Sequence, residues 1–321
     1  MLTLTYSPAY TLVPTYECFN RCGYCNFRRD PGTSPWLSLP EAETRLRALQ
    51  GTGVIEILLL SGEVHPQSPR RAAWSQHLYD LAALALDLGF LPHTNAGPLS
   101  RAEMTRLQTV NVSLGLMLEQ MTPALLHTVH RQAPSKEPRQ RLQQLDQAGE
   151  LGIPFTTGLL LGIGETEADW RLSLAAIASC HQRWSHIQEV ILQPHSPGGR
   201  QAAGLAALGG DRLLTAVRLA RQLLPTEITV QIPPNLVTQP AWLRACVAAG
   251  ARDLGGLGPK DEVNPDYPHP TPAQLAAALG PDAVLVPRLP VYPQYLSWLG
   301  ADLQRASRRA AARTPGSLKP R

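Results

Sequence analysis

Cys18, Cys22 and Cys25 fall within one octapeptide, Cys18-Phe19-Asn20-Arg21-Cys22-Gly23-Tyr24-Cys25, spaced C-x3-C-x2-C after a short apolar run. Thiolates are soft metal ligands, and three make an incomplete set. A structural zinc site or an ordinary four-cysteine iron–sulfur cluster needs a fourth protein ligand, and no His or Cys follows within the usual few residues. Such a loop leaves one metal position open, so a cubane cluster held this way keeps one iron free for chemistry. Two other readings are a zinc knuckle completed by a distant residue and thiols packed as small hydrophobes. Loop cysteines clustered this tightly argue against simple packing. Cys180 and Cys246 sit among apolar neighbours in helical patterns and are expected in the core.

Other candidates close the apolar runs that follow. Ser61-Gly62-Glu63 offers backbone amides and a carboxylate, or simply a capping turn. His93-Thr94-Asn95-Ala96-Gly97 offers groups for a ribose or substrate, or a turn in which Asn and Gly relieve strain. Glu119 is either a ligand contact or a solvated helix start. Gly162-Ile163-Gly164-Glu165 lets backbone approach a flat ring but lacks the third glycine of a dinucleotide fingerprint. His195 is a candidate proton carrier, with a hydrogen-bonded structural role as the alternative; His93 and Tyr24 are further candidates. Asp253 to Pro259, then Asp261 and Asn264, form a glycine-rich stretch expected at a site for a hydroxyl-rich or ureide ligand.

The elements that must position these groups alternate. Strands are expected at 10–17, 54–60, 90–95, 110–117, 153–161, 187–193, 227–232 and 251–254, several as nearly continuous apolar runs of the kind covered by helices on both sides. Helices are expected at 39–50, opened by a capping box at Ser38 and Glu41, and at 71–88, 138–149, 167–181, 210–224, 240–249 and 272–279. Eight βα units without a break in composition predict a closed (β/α)8 TIM-type barrel over residues 1–281, with an open doubly wound sheet as the runner-up. Residues 282–321 read as a C-terminal extension, a proline-punctuated segment followed by a helix and a basic tail. In a barrel the active site forms at the C-terminal ends of the strands, where these candidates fall.

At 44% hydrophobic the 321 residues can bury a core, and 30 prolines with 25 glycines predict short loops rather than disorder. The net charge of +4 belongs to residues 305–321, whose six basic and no acidic side chains leave 23 basic against 25 acidic elsewhere. Such a tail is read as a solvated terminus, and the lack of aromatics beside it makes nucleic acid an unexpected ligand. An odd number of cysteines, three in one loop, argues against a disulfide framework and for a reducing compartment. Met1 to Tyr6 lacks a signal peptide's features and no run reaches membrane-spanning length, so a cytoplasmic protein without membrane contact is expected.

The cysteine spacing, with an aromatic before the last cysteine, resembles the radical SAM superfamily. The resemblance implies a [4Fe-4S] cluster on Cys18, Cys22 and Cys25, whose open iron binds the amino and carboxylate groups of S-adenosylmethionine. Ser61-Gly62-Glu63 is similar to the superfamily's Gly-Gly-Glu, which holds the methionine ammonium, with Ser replacing the first Gly. Gly162 to Glu165 is similar to a region whose apolar residue, here Ile163, packs on adenine. Asn95 and Glu119 are then expected to reach the cofactor.

Tyr10 to Arg28, Pro154 to Glu165 and Asp253 to Pro259 also resemble the smaller subunit of the 7,8-didemethyl-8-hydroxy-5-deazariboflavin (Fo) synthases, over most of residues 5–280. That resemblance implies closure of the third ring of Fo, with loss of ammonia, from an adduct of tyrosine and a ribityl-aminouracil. It also implies a companion radical SAM subunit that makes the adduct and a low-potential electron donor. With a single triplet, the chain is expected to carry only this second half-reaction. Two further readings are another radical SAM enzyme of the biotin synthase or menaquinone-pathway type, and a non-catalytic metal-binding protein.

Overall fold

The computed structural model of the chain describes residues 2–201 and 204–314. In chain order the elements are β1 (Leu2–Leu12), α1 (Leu39–Ala48), β2 (Glu56–Leu60), α2 (Arg71–Asp87), β3 (Leu91–Asn95), α3 (Arg101–Leu107), β4 (Ser113–Gly115), α4 (Pro138–Glu150), β5 (Phe155–Leu161), α5 (Glu167–Trp184), β6 (Ile187–Pro194), α6 (Gly210–Leu223), β7 (Thr229–Gln231), α7 (Pro240–Ala248), β8 (Asp253–Leu257), α8 (Pro272–Leu279), β9 (Ala283–Pro287) and α9 (Ala301–Ala312). Strands β1 to β8 are parallel and close on themselves through β8–β1 and β1–β2 pairing, giving the expected eight-stranded barrel with helices between strands. All seven residues of β5 are buried, as a strand covered on both faces requires. Helix starts carry the caps that hold this alternation in register. Ser100, Thr166 and Thr271 each form a complete capping box, and Ser38 accepts the amide of Glu41.

Three local expectations shift. The first strand runs over Leu2–Leu12 rather than 10–17, because its lower half finds a partner of its own: Leu2–Tyr6 pair with β9. Residues beyond Leu12 leave the sheet before Pro14. The eighth strand begins at Asp253, so this residue lies at the strand's N-terminal end, fully buried, rather than in a turn at the mouth. Finally, the proline-punctuated segment after residue 282 supplies the ninth strand, β9, and then turns under the barrel. Pro290 O accepts from Ser113 Oγ and Gln188 Nε2, and Tyr295 OH donates to Ile187 O. These groups sit at the first residues of β4 and β6, so the segment seals the N-terminal end. Lys319 and Arg321 of the expected basic tail lie outside the described residues.

The seal carries a buried charge network. Arg288 donates to both oxygens of Asp253, at 2.5 and 2.8 Å, to the Glu189 carboxyl at 3.1 and 3.2 Å, and to Leu289 O at 3.1 Å. Burial pushes Asp253 up, but Arg288 overcomes this and holds its carboxyl below the usual range. Burial pushes Glu189 well above it, against the pull of Arg288.

Buried histidines set the response to acid. Burial pushes His93 and His186 down to about 3 and His130 down to about 4. Each stays neutral in the fold but takes a proton near pH 6.5 in the unfolded chain. The stability they contribute is present above pH 6.5 and is lost as pH falls toward 3 to 4, by about 1.4 kcal/mol per pH unit per histidine. We expect the urea midpoint to fall steeply between pH 6.5 and 4.5, and less steeply in His186→Leu. An equal slope in that variant would refute the assignment.

Candidate active site at the barrel mouth

The loop between β1 and α1 carries the three cysteines and is stitched to the C-terminal ends of the strands. Cys18 N–H donates to Arg29 O at 3.0 Å and Arg29 N–H to Tyr16 O at 2.7 Å, closing the loop's base. Phe19 N–H reaches Glu63 O, Gly62 N–H reaches Thr15 O, and Arg21 and Gly23 donate to Gln132 and Val129. Glu17 accepts the amides of Gly32 and Ser34 and pairs with Arg70 at 2.8 Å, which fixes the outer part of the loop. Gly62 is dictated by contact: a Cβ there would lie 2.1 Å from Glu17 O. Gly62→Ala must displace the cysteine loop, at a cost of roughly 1–3 kcal/mol. We expect at least a halving of iron content after anaerobic reconstitution; wild-type iron loading would show that the loop tolerates the methyl group.

The three thiols are half-buried. With Ser61, Gly62, Glu63, Asn95, Glu119, Tyr24 and His195 they line one cavity. Most of the sequence-predicted residues are thus brought together. Gly162 and Ile163 do not line it; their amides donate to the Glu165 carboxylate at 2.6 and 2.8 Å, and Ile163 packs with Leu125, Val129 and Leu160 behind Tyr24. Cys180 and Cys246 are buried away from the cavity, their thiols pushed up by burial to about 12 and about 11.

The carboxylates are held in defined positions. Glu63 Oε2 accepts from Asn20 Nδ2 at 2.9 Å and from the Ser135 hydroxyl, and its side chain lies across Gly97, where a Cβ would sit 2.3 Å from it. Glu119 stands in the left-handed region at φ 65°, a strained setting for a non-glycine residue. Burial pushes its carboxyl up, but Lys136 at 2.5 Å and Arg141 at 3.7 Å bring it below the usual range. Ser61 holds the strand end against α2 by accepting the Trp74 indole N–H at 3.1 Å. Tyr24 OH lies 3.0 Å from His130 Nε2. His195 has both ring nitrogens engaged, by Ala206 O at 3.0 Å and Gln201 Oε1 at 3.1 Å.

Sequence reasoning missed four residues of this site: Asn20, Ser135, Lys136 and Arg141. Arg141 left a signal. It shares the inward stripe of α4 with Leu145 and Ala148, at i, i+4 and i+7, where an arginine must have a buried partner.

The donor set suits a cluster better than a single ion. Among the described residues, no three His, Cys, Asp or Glu side chains converge as one ion requires. Zinc would need such convergence, whereas a cubane takes its thiolates on separate irons. Burial pushes the Cys22 thiol up to about 12, with Lys136 opposing, so a metal bound there would have to displace its proton. Beside the thiols, the Glu63 carboxylate and the Lys136 and Arg141 cations suit a zwitterionic amino acid group.

The radical SAM superfamily signature matches residues 12–177. The 7,8-didemethyl-8-hydroxy-5-deazariboflavin synthase of Synechococcus elongatus is 67% identical over 94% of this chain and 90% of its own length. That of Thermosynechococcus vestitus is 65% identical over 94% and 96%, and that of a Synechocystis strain 62% over 95% and 98%. Among solved structures, the FeFe-hydrogenase maturase HydG of Carboxydothermus hydrogenoformans superposes with a TM-score of 0.69 at 16% identity, over 96% of this chain and 77% of that one. Methylornithine synthase gives 0.59 at 15%, over 99% and 84%. At these identities the structural likeness speaks for the fold alone.

Proposed function

Since the chain belongs to the 7,8-didemethyl-8-hydroxy-5-deazariboflavin synthases of the radical SAM superfamily, we propose that the mouth cavity is where it closes the deazaflavin ring. It is a radical SAM enzyme of deazaflavin biosynthesis acting on a small molecule. The substrate is 5-amino-5-(4-hydroxybenzyl)-6-(D-ribitylimino)-5,6-dihydrouracil and the product Fo, with ammonia, 5′-deoxyadenosine and methionine released. The observation that carries this reading is the gathering of three cysteine thiols with Glu63, Asn95 and Glu119 around one cavity, in a chain 67% identical to a relative of that name.

In this reading Cys18, Cys22 and Cys25 hold a [4Fe-4S] cluster with one iron left for S-adenosylmethionine. When bound, the two supply the one-electron start that no side chain can provide. Glu63, positioned by Asn20 and Ser135, receives the methionine ammonium, and Lys136 and Arg141 face its carboxylate. Ser61, Gly62 and Asn95 offer hydrogen bonds to the rest of the cofactor. Ile163 backs the Tyr24 wall and Gly162 turns the chain beside it. Tyr24 is assigned a hydrogen bond to the reacting substrate, and His195 joins it by giving up its Gln201 bond.

A companion radical SAM subunit supplies the adduct, a low-potential donor supplies electrons, and the protein works in the cytoplasm. Among the described residues no helix is long and apolar enough to cross a membrane. Residues 1–281 form the catalytic unit in this proposal and 282–321 its extension. The test is anaerobic: reconstituted protein, the adduct, S-adenosylmethionine and a reductant are expected to yield Fo fluorescence with deoxyadenosine. Deoxyadenosine without Fo would assign the chain to a different radical SAM reaction.

A further inference from the structure

A second cavity continues from the first into the barrel interior, and the two share Leu60, Asn95, Met117 and Val263. Three of these four are apolar, so the passage is a collar suited to a flat, weakly polar ring. Below it the walls are rich in acceptors. The Ser113 hydroxyl has one proton and donates it to Pro290 O at 2.8 Å, so the 2.6 Å contact with His93 Nδ1 must be donated by His93. That fixes the tautomer with Nε2 as an acceptor, and this nitrogen has no partner among the described residues. Gly115 keeps it open: a Cβ there would lie 2.8 Å from Nε2.

Asn235 adds a second acceptor. Its Nδ2 donates to Asp261 and to Tyr267 O, while its Oδ1 is buried without a partner among the described residues. The Glu56 carboxyl and the Thr156 hydroxyl line the same chamber. The cation that reaches it from below is already occupied, since Arg288 is satisfied by Asp253, Glu189 and Leu289 O. A phosphate or carboxylate would find no such partner at the floor. A chain of hydroxyl groups, each a donor needing an acceptor, finds several.

We propose that this chamber seats the ribityl chain of the substrate, with His93 Nε2, Asn235 Oδ1, Glu56 and Thr156 meeting its hydroxyls and the collar holding the ring system beside the cofactor cavity. The proposal rests on the function proposed above and assigns the orientation of its substrate. It makes His93 a specificity-determining residue, with Thr156 a smaller contributor.

The test compares the full adduct with one in which a methyl group replaces the ribityl chain, using reconstituted holoenzyme. Iron content and substrate-free deoxyadenosine formation establish that each variant is intact. Wild type is expected to prefer the full adduct in kcat/KM by about a hundredfold, since several buried acceptors lose their donors with the shorter compound. His93→Leu should cut that preference roughly tenfold, mainly through KM, and His93→Gln should restore part of it. Thr156→Val, which keeps the volume, should cut it a few-fold. Turnover by wild type with an unchanged preference in His93→Leu and Thr156→Val would overturn this proposal alone. Failure of wild type to convert the full adduct would overturn the parent assignment and this one with it.

Discussion

Alanine at any one of Cys18, Cys22 or Cys25 should leave a folded protein that retains little iron after anaerobic reconstitution and forms no detectable deoxyadenosine. The three thiols are the only cysteines at the cavity among the described residues, so no neighbour can substitute. Loss of a group that merely orients a ligand already costs about 10–100-fold in metal affinity, and loss of a ligand itself should exceed that. Cys180→Ala and Cys246→Ala provide the internal control. Both thiols are fully buried in the main core, so their removal should cost about 1 kcal/mol in packing and nothing in iron. Iron quantitation with the cluster's visible absorption separates the two groups. Full loading of Cys22→Ala would exclude the three-thiolate site.

That contrast is legible in the sequence because the cysteine loop is local: three ligands within eight residues need no tertiary information to be recognised. The same holds for groups that close apolar runs. Glu63, Asn95, Glu119 and His195 end strands or follow them directly, and parallel-barrel geometry brings strand ends to one place. Contact between residues far apart in the chain is not legible in this way. Lys136 and Arg141 meet Glu119 from a short 3-10 turn and a helix, elements whose apolar stripe tells which face is buried but not what a charge on it will touch. The extent of β1 is obscured because Thr3, Thr5 and Ser7 alternate with larger side chains and do not read as a buried run, although Ser7 is fully buried. The strand β9 is hidden by the prolines that end and follow it, since Pro287, Pro290 and Pro293 argue against a central strand. As a strand paired on one side, to β1, it tolerates Pro287 at its end.

Another long-range contact at the sealed end is one whose removal should be felt throughout the barrel. Arg288 lies 35 residues from Asp253 and 99 from Glu189, yet all three are buried at the sealed end. Arg288→Met would keep most of the volume and leave the Asp253 carboxylate buried without its cation, which costs about 3–5 kcal/mol. The sign with pH follows from Asp253, whose carboxyl Arg288 holds below the usual range against burial. The stability from this pair is present above the unfolded carboxyl's value of about 3.9 and is lost as pH falls through the folded one. Without Arg288, only the Thr5 hydroxyl and the Gly255 amide oppose burial at Asp253, and the balance moves toward its neutral form. The variant should therefore trail wild type most at neutral pH and least near pH 4. Adding Asp253→Asn should recover part of the loss at pH 7, because the unpaired charge goes while the shape remains. Urea midpoints at pH 7 and pH 4 measure this directly. A deficit of the same size at both would mean that Arg288 acts through packing of the seal rather than through its charge.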